Sequence, residues 1–236
     1  MGQIFDIIFY RPLLNLLVIF YNSIAFHDLG LSIFFLTLLL RIILYPISLS
    51  QIKTQKSLQK IQEEIKEIRK KFANDQKKMT EEMIKLYKIN KVNPFSSCLS
   101  FLIQFPILIA VYQVFRSGIL EENLPLYPFI FNPGKLNPIA FGFLNLRERN
   151  FFLALITGVV QYFQSKMFSV KKPPSTIAKN KGVKDESMMA IINKQMIYMM
   201  PILTILIGMS LPSGLVFYWL INLILAIIQQ KIFLKI

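Results

Sequence analysis

An all-α polytopic membrane protein is the fold class this sequence predicts, and three observations predict it. The 236 residues are 54% hydrophobic and 17% charged, where a soluble domain is nearer to about 45–50% and 25%. The apolar residues gather into long charge-free runs, as membrane-crossing helices require. The net charge of +14 sits almost wholly outside those runs, so topology and anionic lipid explain it better than nucleic acid does. The expected architecture is five transmembrane helices around a hydrophilic interior, a cytoplasmic helical hairpin and an N-terminal interfacial helix.

The elements follow in chain order. Residues 1–28 are apolar but interrupted by Asp6, Arg11, Asn15 and Asn22. The charge-free part, Pro12 to Phe26, makes about 22 Å of helix, short of a hydrocarbon core of about 30 Å. A helix lying in the interface is preferred to an additional span. Residues 29–50 form the first span, with Arg41 as its only charge. Residues 51–91 hold 12 Lys and Arg and 6 Asp and Glu, and Leu58, Ile61, Ile65, Ile68 and Phe72 recur at steps of three and four. That spacing makes a coiled-coil-like seam, and Ala73-Asn74-Asp75 is a turn with a cap for a second arm. The prediction is an antiparallel hairpin.

The second span covers about 95–115, with Pro94 at its start and Pro106 to kink it. Residues 116–149 carry prolines at 125, 128, 133 and 138 and are expected against the outer interface. The third span is 150–168, with Lys166 able to snorkel. A basic loop follows at 169–194. Residues 195–230 carry no charge, and as one helix would run about 54 Å, too long for a bilayer. Leu211-Pro212-Ser213-Gly214 divides them into spans at about 196–211 and 214–231. The hairpin, the basic loop and the end of the chain hold 20 positive charges, and the opposite side holds 5. The positive-inside rule then puts the C-terminus and hairpin in the cytoplasm and the N-terminus outside.

Several function classes fade at this level. One Cys and one His exclude an internal disulfide and Cys-rich metal sites, and no Gly-rich phosphate loop is present. No cofactor, metal or catalytic residue is expected. The N-terminal residues lack the basic cluster of a standard signal peptide.

Arg41 is the residue that points to function. A charge at mid-membrane costs at least ~2.5 kcal/mol on insertion scales, and the spans contain no Asp or Glu to pair with it. Its guanidinium is expected to face a wet cavity or other polar groups; the alternative is snorkelling toward the cytoplasm. Polar stripes that can line such a cavity recur in the other spans. Thr37, Arg41, Tyr45 and Ser48 share one face, as do Ser97, Ser100 and Gln104. Gln161 and Gln164 are a turn apart, and Tyr218, Asn222 and Gln229 are spaced four and seven, with Trp219 beside them. Taken singly, each stripe is better read as interhelical hydrogen bonding; four of them with an unpaired Arg favour a shared hydrophilic interior. The Met residues at 188, 189, 196, 199 and 200 read as ordinary core or lipid-facing filling, with a flexible surface for varied apolar segments as the other option.

Longer patterns then carry a resemblance. LTLLLRIILYPISL, the charged hairpin, EMIKLYKINKVNPFSSCLSFLIQFPILIAVYQVF, LRERNFFLALITGVVQYFQSKM and MPILTILIGMSLPSGLVFYWLINLILAIIQQ together resemble the core of the YidC-type membrane protein insertases, over residues 29–234. The resemblance implies a groove open to cytoplasm and lipid and closed on the outer side, with Arg41 in it. It also implies groove positions at Gln104, Trp219 and either Gln161 or Gln164, and a client-recruiting role for the hairpin. The client-groove set is therefore Arg41, Thr37, Tyr45, Gln104, Ser100, Gln161, Gln164, Trp219 and Asn222. The implied partners are nascent membrane-protein clients and anionic lipids, with the Sec translocon and the ribosome as further candidates and no direct nucleic-acid function. The implied location is the cytoplasmic membrane. The resemblance is to the core alone, so no large extracytoplasmic domain before it and only a short tail after it are expected, and strong autonomous ribosome binding is not expected. The rival function is a small anion transporter or channel built on Arg41.

Overall fold

The computed structural model describes residues 2–73, 75–90, 96–118, 124–168 and 197–234. The loop expected at 169–194 lies outside them. The described chain is mainly helical, and the loop at 124–149 carries a two-stranded ribbon.

Helix α1 runs Gln3–Asn22. Pro12 has no N–H for the carbonyl four residues back, and the preceding turn, Asp6–Tyr10, widens to a π-helix. Across that turn Arg11 Nε donates to Asp6 Oδ2 at 2.6 Å. The second half of α1 buries Leu13, Leu14, Leu17, Val18 and Tyr21. By length and composition α1 is apolar enough to cross a membrane, although its charge-free part alone is short.

Helix α2, Leu29–Ile43, is capped by Asp28, whose carboxylate accepts from Leu31 N at 2.9 Å. The expected first span does not continue straight to residue 50. It breaks at Leu44 and α3, Tyr45–Lys60, leaves at 63°. Pro46 is the cause: it has no N–H for the Ile42 carbonyl, and its ring opposes a continuous helix. Helices α4, Gln62–Lys71, and α5, Gln76–Ile89, pack together. Ile61 and Leu86 are buried between them, with Leu58, Ile65, Ile68 and Tyr87 around. Asp75 caps α5 by accepting from Lys78 N at 3.0 Å.

Helix α6 spans Ser96–Gln113 around Pro106, and ends in a π-helical turn, Val114–Gly118. Strands β1, Ile139–Ala140, and β2, Leu144–Asn145, pair antiparallel with Ile139 opposite Asn145. Helix α7 is Phe151–Phe168, α8 is Ile197–Gly208 and α9 is Ser213–Leu234.

Helix α9 is the centre. It packs α2 and α7. On one side Leu215 and Tyr218 join a core built from α1, α2, α6 and the loop at 124–146. On the other, Val216 and Leu220 meet Leu153 and Ala154 of α7. Helices α7 and α8 approach closely at Gly158. A β-carbon there would overlap Ile205 Cγ1 and stand 3.1 Å from the Pro201 carbonyl oxygen. Gly158→Leu is therefore expected to push the two helices apart and cost about 1–3 kcal/mol of overpacking. Thermal unfolding in detergent, against the native chain, measures it.

The loop at 124–149 ties one end of the bundle together. Buried Asn15 donates to the carbonyls of Arg11 at 2.7 Å and Pro125 at 3.3 Å, and its Oδ1 accepts from Tyr127 N at 2.7 Å. Asn22 Nδ2 donates to Phe131 O, Asn137 N to the Tyr21 hydroxyl, and Phe141 N to Asp28 Oδ2. Gly214 N donates to Leu146 O at 2.7 Å, and both Ser213 N and its hydroxyl donate to Glu148 O. A segment too broken to span has its polar backbone satisfied by the helix ends it covers.

Candidate functional site

The polar residues of α2, α6 and α9 meet at the end of α2 nearest the hairpin. Arg41 is the thirteenth residue of α2, about 18 Å along the helix from Leu29. It reaches across to α9, where its Nη2 donates to the Asn222 carbonyl oxygen at 2.8 Å. Its Nε is buried with no hydrogen-bond partner among the described residues. Among those residues Arg41 is in no ion pair.

A cavity opens beside it, lined by Thr37, Leu40, Arg41, Leu44, Gln104, Tyr218 and Asn222. Its volume is about 20 Å³, room for roughly one water or one carbonyl-sized group. Gln104 Nε2 donates to the Tyr218 hydroxyl at 2.9 Å. Thr37 is buried and its hydroxyl turns back to the Ile33 carbonyl at 2.6 Å, so it offers the cavity an oxygen lone pair rather than a proton. Arg41 supplies the positive charge and an unused donor, while Gln104 and Tyr218 supply neutral polar groups. This arrangement suits an oxygen acceptor.

Tyr218 marks where the polar region stops. It is 2% exposed. Its other side lines a second, apolar space with Leu13, Leu17, Ile33, Leu36, Val111, Val114 and Phe115. Beyond it, toward the loop at 124–149, the interior is hydrocarbon-like.

Of the sequence-predicted set, Thr37, Arg41, Gln104 and Asn222 are brought together. Tyr45 is not. It lies past the Leu44 bend, 41% exposed, and its ring meets Phe233 edge-on at 5.7 Å between centroids. Gln161 and Gln164 bond to one another at 3.1 Å on α7, and neither lines the cavity. Trp219 is half-buried, one residue round the helix from the lining position. Ser100 lies in α6, and its side chain is outside the described residues. Tyr218 was named on a stripe but not placed in the expected groove. Its signal was its position four residues before Asn222, on the same helix face.

A family model described as 60Kd inner membrane protein matches residues 19–236. The chain is 34% identical to the membrane protein insertase YidC of Fusobacterium nucleatum over 210 residues, covering 88% of this chain and 87% of that protein. It is 30% identical to the YidC of Geobacter metallireducens, covering 94% of this chain, and 31% identical to that of Buchnera aphidicola, covering 95%. The chain spans only 36% and 37% of the length of those two longer proteins.

Proposed function

The chain belongs to the YidC family of membrane protein insertases, and from that premise we propose that the Arg41 site is its client groove. The protein is an integral membrane protein that assists the insertion of other membrane proteins. The observation that carries the groove reading is the half-buried Arg41, with a donor unused among the described residues, in a polar cavity that ends at Tyr218.

The physical task is to carry a client's hydrophilic tail across hydrocarbon. Unsatisfied backbone and charged groups make that costly. A polar site part of the way through the bundle shortens the dry distance. Arg41 attracts an acidic or carbonyl-bearing stretch more strongly there than in water. The client's apolar segment then moves sideways into lipid, a favourable transfer. The sequence contains no phosphate-binding loop, which supports a non-enzymatic insertase driven by that partition, with the membrane potential as a further source.

The reading includes five spans, with α2, α6, α7, α8 and α9 in the membrane. The bent α2–α3 pair and α9 are long and apolar enough to cross it. We place α1 in the interface, because the Asp6–Arg11 pair, with side chains 36% and 49% exposed, would otherwise face hydrocarbon. The hairpin and C-terminus face the cytoplasm of the cell membrane. The hairpin recruits clients, with the Sec translocon or ribosome beside it.

Expression of this chain in cells depleted of their own YidC tests the proposal. Restored protease protection of a single-span client's translocated tail is the expected result. A folded, membrane-inserted chain that restores none, but conducts anions in vesicles, overturns it in favour of the transporter reading. Tyr218→Phe keeps the ring and removes the Gln104 bond. It is expected to lower insertion of an acidic-tailed client about two- to tenfold, the equivalent of ~1 kcal/mol, in the same protease-protection assay.

A further inference from the structure

The loop at 124–149 and the helix ends it joins carry large apolar side chains outward. Phe26, Phe129, Phe131 and Phe143 are 79–84% exposed, and Phe152 at the start of α7 is 73% exposed. These are among the most exposed large hydrophobic residues of the described chain. They do not sit on a loose segment, because Asn15, Asn22, Tyr21 and Asp28 hold its backbone to α1 and the start of α2. Five rings displayed on a hydrogen-bonded platform are not explained by packing within the chain.

The exposed rings adjoin an exposed apolar stripe on α7, one of the helices proposed above to lie in the membrane. Along α7, Phe152, Ile156, Val159 and Phe163 are all exposed at helical spacing, and this stripe runs into the loop through Phe152. Lys135, Arg147 and Arg149 are exposed on the same segment. Its one acid, Glu148, accepts from Asn145 Nδ2 at 2.7 Å. Aromatic rings beside basic groups match the boundary between acyl chains and phosphates.

We propose that residues 124–149, with Phe26 and Phe152, form a rigid aromatic cap. The cap seats in the headgroup–acyl boundary of the leaflet at that end of the bundle. The rings enter lipid and Arg147 and Arg149 face phosphates. A cap held at that boundary fixes the depth of α2, and so sets Arg41 about 18 Å inward from it. This inference rests on the chain being a membrane protein and is independent of the client reading.

The full chain in vesicles of phosphatidylcholine and phosphatidylglycerol tests it. Trp219 is the only Trp, so Phe131→Trp and Phe143→Trp, each in a Trp219→Phe chain, report their own surroundings. The expected result is blue-shifted emission, quenched about fivefold more by lipids brominated near the headgroup than by aqueous acrylamide. Stronger quenching by acrylamide overturns the proposal, and so does protection from both quenchers, which means that protein covers the rings. A nitroxide at Phe143→Cys in a Cys98→Ser chain keeps Trp219 in place as a second test. Lipid seating gives more broadening by oxygen than by a water-soluble nickel chelate, and the reverse order refutes it.

Discussion

Arg41→Ala is expected to lower insertion of a client with an acidic translocated tail about ten- to a hundredfold. A hydrogen bond to a charged group in a poorly hydrated setting is worth about 1.5–3 kcal/mol, and each 1.4 kcal/mol is about a factor of ten. Among the described residues Arg41 makes one bond, to a backbone carbonyl. Its removal frees the Asn222 oxygen but also relieves a charge with no ion pair among the described residues. The variant should therefore fold, and its accumulation in the membrane is the control. Protease protection of the client tail gives the measurement. Arg41→Lys should recover part of the activity, since it keeps the charge but not the forked donor geometry. A client with a short neutral tail should lose less than an acidic one. Equal insertion of acidic tails by native and Arg41→Ala chains would reduce Arg41 to a tie between α2 and α9.

Asn15→Leu is expected to destabilise the fold by about 2–4 kcal/mol, because buried polar groups left without partners cost about 1–3 kcal/mol each. Asn15 is 1% exposed. Its side chain serves the Tyr127 N–H and the Pro125 carbonyl on a loop more than a hundred residues away. Leucine of similar size leaves both groups without that partner beneath a covering segment. Two readouts follow: a lower unfolding temperature in detergent, and proteolytic nicking within 124–149 under conditions where the native chain is intact. If the loop stays protected and the melting point is unchanged, the cap is held by its apolar contacts at Leu124, Leu136, Ala140 and Leu146 instead.

Much of the helical layout was legible from residues alone. The heptad-like seam from Leu58 to Ile68 anticipated the packing of α4 on α5, because steps of three and four put those residues on one face. Leu211-Pro212-Ser213-Gly214 marked the turn between α8 and α9. The bend at Leu44 was less visible. Pro46 was in view, but a proline two residues into a new helix reads locally like one inside a continuing helix. The anchoring role of Asn15 was hidden, since the loop groups it holds, the Pro125 carbonyl oxygen and the Tyr127 N–H, lie far along the chain in a segment without periodicity.

The candidate site shows the same division. Composition and spacing determined that Arg41 has no acid in its spans, and that Thr37 lies on its face of α2. Periodicity ranks positions around one helix axis but says nothing of how far that helix is turned toward its neighbours. Only the packing of α9 between α2 and α7 decided that Tyr218, rather than Trp219, faces the cavity. The same packing let Gln104 reach Tyr218 and left Gln161 bonded to Gln164 on α7. It also carried the Arg41 guanidinium to the Asn222 backbone oxygen of α9, a contact that periodicity along α2 alone does not predict.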